Sequence, residues 1–291
     1  MICNLCPRGC NAARSAGAGD GLCRAGTDPK IARAALHMWE EPCISGENGS
    51  GTVFFCGCAL RCVYCQNREI SVGGVGKTVT PSRLREIYLE LIAQGAHNIN
   101  LVTPTHFAAA IADSLAEPLA APVVWNSSGY ESVGTLKTLE GKVQIYMPDM
   151  KYALTEPAAR YSAAPDYPDA AKAALREMFR QTGRYVLGGD GLLRRGVLIR
   201  HLVLPGELEN TFRVIDWVAE TFAPGDVLFS LMSQYTPVCA PERPEPNRQL
   251  TRAEHDAAVG YLMDSRIEDG FYQDPPGDEQ AYIPLWDLTG V

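Results

Sequence analysis

From Gly51 onward six short β-rich runs alternate with amphipathic stretches, and no other feature of the chain narrows its possible folds as much. The runs are GTVFF (51–55), HNINLVT (97–103), PVVWN (122–126), VQIYM (143–147), VLIRHLVL (197–204) and DVLFSLM (226–232). Between them lie helical patterns such as PSRLREIYLELIAQG (81–95), with Leu84, Ile87, Leu89 and Leu91 as its apolar residues, and YPDAAKAALREMFRQTG (167–183). Thr251 stands where an N-cap belongs, and Gly95 and Gly183 stand where helices end. Strands in strict alternation with helices imply an α/β chain with a parallel sheet and right-handed crossovers. An open doubly wound sheet and a barrel-like βα array both fit, and in each the chemistry gathers at the carboxyl ends of the strands.

Residues 1–50 are different in kind. They are glycine-rich, show little periodicity and hold Cys3, Cys6, Cys10, Cys23 and Cys43. They are expected to form a small N-terminal Cys-rich metal-binding extension ahead of a main domain at 51–291. Formal net charge is −8 and no Lys/Arg cluster stands out, which argues against nucleic acid as a partner. The most apolar region, 107–125, is broken by Asp113, Glu117, Pro118 and Pro122, so no membrane span is expected. The opening MICNLCPRGC has no apolar signal region. The expected compartment is therefore the reducing cytoplasm, where cysteines serve metals or catalysis rather than disulfides. Nine of the ten cysteines precede residue 66, and only Cys239 lies beyond. A disulfide framework would tie distant parts together; crowding at one end suits metal.

The stretch FFCGCALRCVYCQN (54–67) follows the first run directly and carries Cys56, Cys58, Cys62 and Cys65. Three thiolates spaced Cys58-x3-Cys62-x2-Cys65 can cap three irons of a [4Fe–4S] cube and leave the fourth open to a small molecule. Zinc is the alternative, with Cys56 as fourth ligand, although C-x-C-x3-C-x2-C is not a usual zinc-knuckle spacing. Cys56 reads most simply as a small buried residue at a strand end.

Cys58-x3-Cys62-x2-Cys65, with aromatic Tyr64 before the third cysteine, resembles the signature of the radical S-adenosylmethionine (radical SAM) enzymes. GCALRCVYCQN, the later Asp149-x-Lys151 and the RHLVLPG segment (200–206) resemble the glycyl-radical-enzyme activating enzymes. The likeness extends to the pyruvate formate-lyase activating-enzyme-like branch with an N-terminal C-x2-C-P-R-x-C element. The resemblance implies a partial (β/α)6 TIM-like barrel holding a [4Fe–4S] cluster and S-adenosyl-L-methionine. It implies an oxidoreductase that cleaves S-adenosylmethionine reductively to a 5′-deoxyadenosyl radical, fed by a flavodoxin- or ferredoxin-type electron donor. That radical abstracts hydrogen from a substrate, a glycine of a partner protein such as a glycyl-radical enzyme.

By motif, the resemblance places Tyr64, Asn126, Asp149, Lys151 and Arg200 against the cofactor, with Lys151 toward the methionine carboxylate. Asn126 stands where activating enzymes carry an Asp; its alternative is an Asx turn. For Asp149 and Lys151 the alternative is a surface ion pair, and His201 reads as a satisfied core histidine. One element departs from the family. Where activating enzymes have Gly-Gly-Glu after the second strand, this chain has LVTPTHF (101–107). Thr103, Thr105 and His106 offer substitute acceptors there, and turn chemistry after Pro104 is the competing reading.

Cys3-x2-Cys6-x3-Cys10-x12-Cys23 supplies four more thiolates, enough for zinc or a second iron–sulfur cluster, and spacing does not choose between them. Cys43 and Cys239 receive no role. Two further functions fit the same residues: radical SAM chemistry on a small molecule or other peptide, and a non-catalytic iron–sulfur protein for electron transfer or scaffolding.

Overall fold

The computed structural model describes residues 2–72, 74–237, 247–274 and 284–291; Cys239 lies outside them. In the N-terminal element, strands β1 (Ile2–Cys3) and β2 (Ala12–Ala13) pair antiparallel. Strand β3 (Lys30–His37) and the one-turn helix α1 (Pro42–Ser45) lead into β4 (Ser50–Phe55). After the cysteine loop come α2 (Arg68–Ser71), β5 (Lys77–Thr78) and α3 (Pro81–Ala93). Next are β6 (Ile99–Val102), α4 (Ala108–Ser114), β7 (Val123–Ser127), α5 (Val133–Lys137) and β8 (Ile145–Pro148). Helices α6 (Thr155–Ser162) and α7 (Tyr167–Thr182) and strand β9 (Val186–Leu187) precede β10 (Leu193–Leu202). Helix α8 (Leu208–Thr221), β11 (Leu228–Met232), α9 (Arg252–Met263) and β12 (Gly270–Tyr272) follow.

The six anticipated strands are β4, β6, β7, β8, β10 and β11. Across the main sheet the order is β12-β11-β10-β8-β7-β6-β4-β3-β5. Pairing is parallel from β4 through β12, and β3 adds antiparallel to β4. The parallel strands therefore stand side by side in sequence order. A doubly wound sheet needs a reversal of that order to cover both faces with helices. Without one, right-handed crossovers put every helix on the same face, which selects the barrel-like alternative. Among the described residues β12 and β5 end the strand path without pairing to each other.

Two strands lie outside the sequence expectation. β12 extends the parallel set by one. β3 falls within residues 1–50, yet it pairs along its length with β4, from Ile31↔Phe55 to His37↔Ser50, so this part of the expected extension is built into the sheet.

The pleat sorts the core into two sides. Val53, Phe55, Leu101, Trp125, Tyr146, Ile199 and Phe229 face the helices. Val124, Ile145, Met147, Leu198 and Leu228 face inward and pack on Cys43 and Ile44 of α1, which plugs the inner face. Each such fully buried aliphatic or aromatic side chain contributes about 2 kcal/mol. In α3 the buried residues are Leu84, Ile87, Tyr88 and Leu91, a regular i, i+3, i+4, i+7 stripe, whereas Leu89 faces outward. Thr251 caps α9 in a full capping box with Glu254, and Gly183 ends α7 at φ 66°. Among the described residues no helix is long and apolar enough to cross a membrane.

Candidate functional site

The loop after β4 turns through Gly57 at φ +87°, where a Cβ would meet the Cys23 carbonyl oxygen at 2.6 Å. The N-terminal element therefore presses directly on the start of the cysteine loop, and only glycine fits. Beyond it, Cys58, Cys62 and Cys65 face a cavity of about 270 Å³ at the carboxyl ends of the strands. Tyr64, Thr103, Asn126, Asp149, Lys151 and Arg200 line the same cavity.

Two of the three thiols, Cys58 and Cys65, are raised above the ordinary thiol value. Burial pushes Cys58 up to about 12, and the adjacent Cys62 and Cys65 push the same way. Burial and Cys62 likewise raise Cys65. Three apposed, buried sulfurs cannot all ionise without a compensating cation, so the donor set fits a cationic metal group. Among the described residues, however, no three Cys, His, Asp or Glu side chains converge as ligands of a single metal ion. Cys56 is turned away from this cavity, with its sulfur 2.8 Å from the Val75 carbonyl oxygen.

The polar residues form one buried network. Lys151 Nζ donates to Asp149 Oδ2 at 2.6 Å, and Arg200 Nε donates to Asp149 Oδ1 at 3.1 Å. The Arg200 fork continues to Glu40 Oε2 at 3.0 Å and Asn126 Oδ1 at 2.7 Å. Glu40 Oε1 accepts from Asn100 at 2.9 Å and Asn126 at 3.2 Å. Asp149 and Lys151 are only 14% and 18% exposed, so theirs is not a surface pair. Burial opposes ionisation of Asp149, but Lys151 and Arg200 outweigh it and hold the carboxyl below its ordinary value. Lys151 is raised despite burial, by Asp149 first and then by Cys62 and Cys65. A lysine that senses both the carboxylate and the thiol cluster ties the network to the cysteine loop.

No protein-family model matches the chain. It is 30% identical over 269 residues to the uncharacterized protein MJ0674 of Methanocaldococcus jannaschii, an alignment covering 88% of this chain and 73% of that protein. The chain belongs to the same family as that protein. Among solved structures it is similar to Streptococcus suis SuiB bound to precursor peptide SuiA, with a TM-score of 0.49 and 11% identity, over 75% of this chain. It spans about half of SuiB, 47% of that chain. It is similar also to methylornithine synthase (PylB), with a TM-score of 0.49 and 14% identity, over 77% of this chain and 70% of that one.

Most of the residues singled out in the sequence line one cavity, with differences in detail. Thr105 is not at the cavity: its hydroxyl donates to buried Glu131 at 2.7 Å. The cause is Thr103, whose φ of +58° is rare for a β-branched residue and turns the chain at the rim. His106 is buried behind the loop, with Nε2 2.7 Å from the Cys56 carbonyl oxygen. Glu40 was not anticipated at all. It lies in WEEPC, far upstream of the motif, and carries no spacing signal; it arrives through the α1 plug.

In the N-terminal element, burial pushes Cys6 up to about 12, and Cys23, Cys3 and Cys10 add to the rise. The four thiols are therefore electrostatic neighbours. Arg14 reaches Cys3 Sγ at 3.6 Å and donates to the His106 carbonyl oxygen at 2.6 Å.

His201 sits in the core, with Nδ1 2.7 Å from the Met150 carbonyl oxygen and Nε2 3.0 Å from Thr211 Oγ1. Burial lowers both His106 and His201 to about 4. A depressed histidine pKa means stability that is present above the unfolded value and lost as pH falls toward the folded one. Thermal melts should accordingly show stability declining from pH 6.5 to pH 4, by on the order of 3 kcal/mol per histidine. His201→Gln should make that decline shallower; an unchanged slope would remove His201 from the account.

Proposed function

We propose that this protein is a radical SAM enzyme of the activating-enzyme type, acting in the cytoplasm on a glycine of a partner protein. Cys58, Cys62 and Cys65 would hold a [4Fe–4S] cluster. Tyr64, Thr103, Asn126, Asp149, Lys151 and Arg200 would surround S-adenosylmethionine. When bound, the pair supplies a one-electron cleavage of the C5′–S bond, releasing methionine and a radical that takes one hydrogen atom from substrate and leaves as 5′-deoxyadenosine. The electron would come from a flavodoxin- or ferredoxin-type donor. Cys3, Cys6, Cys10 and Cys23 would hold a second metal group, zinc or iron–sulfur.

The observation that carries this reading is the convergence of the three thiols and the buried charge network on one cavity at the strand ends. Lys151 offers a fixed ammonium to the methionine carboxylate, and Asp149 holds that ammonium in place. Arg200 fixes Asn126 and Asp149 from the next strands, so both are pre-positioned rather than solvated. The closed inner face beneath, filled by α1, keeps water from the floor of the cavity. For the loss of Gly-Gly-Glu, Glu40 supplies the missing carboxylate charge on the inner wall.

Anaerobically reconstituted protein with S-adenosylmethionine and reductant should form 5′-deoxyadenosine. None formed would leave a non-catalytic iron–sulfur protein as the better account. A glycine-centred EPR doublet on mixing with a glycyl-radical enzyme supports the partner-protein substrate; turnover without that doublet transfers the chemistry to a small molecule or other peptide.

A further inference from the structure

Any reduction at Cys58, Cys62 and Cys65 depends on how their sulfurs are solvated, and Cys62 is solvated differently from the others. Ser162 Oγ lies 3.0 Å from Cys62 Sγ. The nearest comparable contacts of its neighbours are longer: Leu60 N to Cys58 Sγ at 3.4 Å, and Ser71 Oγ to Cys65 Sγ at 3.6 Å. Behind Ser162 stand two more hydroxyls in series. Tyr152 is 2.8 Å from Ser162 Oγ, and Tyr64 is 2.7 Å from Tyr152. All three residues are buried.

A hydroxyl has one hydrogen to donate, and a metal-bound sulfur only accepts. With Ser162 donating to Cys62, Tyr152 must donate to Ser162 and Tyr64 must donate to Tyr152. The three O–H groups therefore align toward one sulfur, and in a buried setting aligned hydroxyls strengthen one another.

Arg8 aims this relay. Ser162 is the last residue of α6, and Ala163 after it is left-handed at φ 47°. Arg8 lies between Cys6 and Cys10 in the N-terminal element. It donates to the Ser162 carbonyl oxygen at 2.6 Å, to the Ala163 carbonyl oxygen, and to the Ala59 carbonyl oxygen at 2.8 Å. One guanidinium thus joins the helix end that carries the donor to the loop that carries Cys58 and Cys62.

We infer that Ser162 is a positioning residue that sets the reduction potential at Cys62, and that Arg8 holds it there from the N-terminal Cys-rich element. This rests on the reading that the three thiolates hold a [4Fe–4S] cluster. Hydrogen bonds to cluster sulfurs are among the quantities that set such potentials. A donor stabilises the more negative, reduced state, so its removal lowers the potential.

The test is an EPR-monitored redox titration of the reconstituted full chain, with iron and sulfide quantified. Ser162→Ala should keep wild-type iron and lower the midpoint, so that the reduced-to-oxidised ratio at the wild-type midpoint falls about tenfold, ~59 mV for one electron. Ser162→Thr should restore it, Tyr152→Phe should shift it the same way by less, and Arg8→Ala should mimic Ser162→Ala. An unchanged or raised midpoint in an iron-replete Ser162→Ala protein overturns the inference while leaving the proposed function intact. If Ser162→Ala loses its iron, Tyr152→Phe decides: a lowered midpoint supports the relay, and an unchanged one overturns it. A wild type that binds no cluster overturns this inference and the reading beneath it together.

Discussion

Replacing Cys58 with alanine should reduce 5′-deoxyadenosine formation to background and leave reconstituted protein short of iron. Among the described residues Cys58 is one of three thiols facing the cavity, and its sulfur is buried against the other two. With one gone, two ligands would have to hold the proposed cluster, and no other described cysteine is placed to step in. Cys56 is the nearest in sequence, but its sulfur is engaged at the Val75 carbonyl oxygen and lines a different hollow. Cys56→Ala should therefore retain iron and activity, as should Cys43→Ala beneath the inner face. Wild-type iron in Cys58→Ala, or iron loss in Cys56→Ala, would mean that the cysteine ligands are misassigned.

The second large effect belongs to Arg200. It is the cation shared by Asp149 and Glu40, it stands 3.8 Å from Glu41, and it is 14% exposed. Arg200→Met preserves length and apolar stem but leaves buried carboxylates facing one another. Removing one partner of such a pair costs about 3–5 kcal/mol, to be read from the chemical denaturation midpoint at neutral pH. Arg200→Lys should rescue little, because a single ammonium cannot reproduce the fork that reaches Asp149, Glu40 and Asn126 at once. The deficit should shrink in acid. Asp149 is held below its ordinary value in the wild type, so its contribution is present at neutral pH and disappears as pH falls through that depressed value. The variant, having already lost that contribution, converges on the wild type. A loss below about 1 kcal/mol would place the network in the class of weak surface pairs.

Much of the fold was legible because its strands are bounded and β-rich. Runs such as VLIRHLVL and DVLFSLM become β10 and β11 within a few residues of their sequence limits. β3 escaped notice for a physical reason. In KIARAALH, Ile31 and Ala32 are buried consecutively and Ala34 follows, so no period-two alternation marks it, and its strand state comes from pairing with β4 rather than from propensity. β12 has three residues, too few for any pattern. At the site, the cysteine spacing was legible because ligands on one tight loop must be close in sequence. The choice between Thr103 and Thr105 was not. Both flank Pro104, and only the left-handed turn at Thr103 decides that one faces the cavity while the other turns to Glu131. Glu40 and the Arg8–Ser162 contact were out of reach altogether, since each joins segments more than 80 residues apart.

The most direct measurement is EPR with hyperfine spectroscopy on the anaerobically reduced protein, with and without S-adenosylmethionine labelled at its amino nitrogen and carboxylate oxygen. Three-thiolate binding predicts a reduced cluster whose spectrum changes when the nucleotide is added and which shows coupling to both labels. A spectrum indifferent to the nucleotide, or a fourth cysteine ligand on the cluster held by Cys58, Cys62 and Cys65, would contradict it.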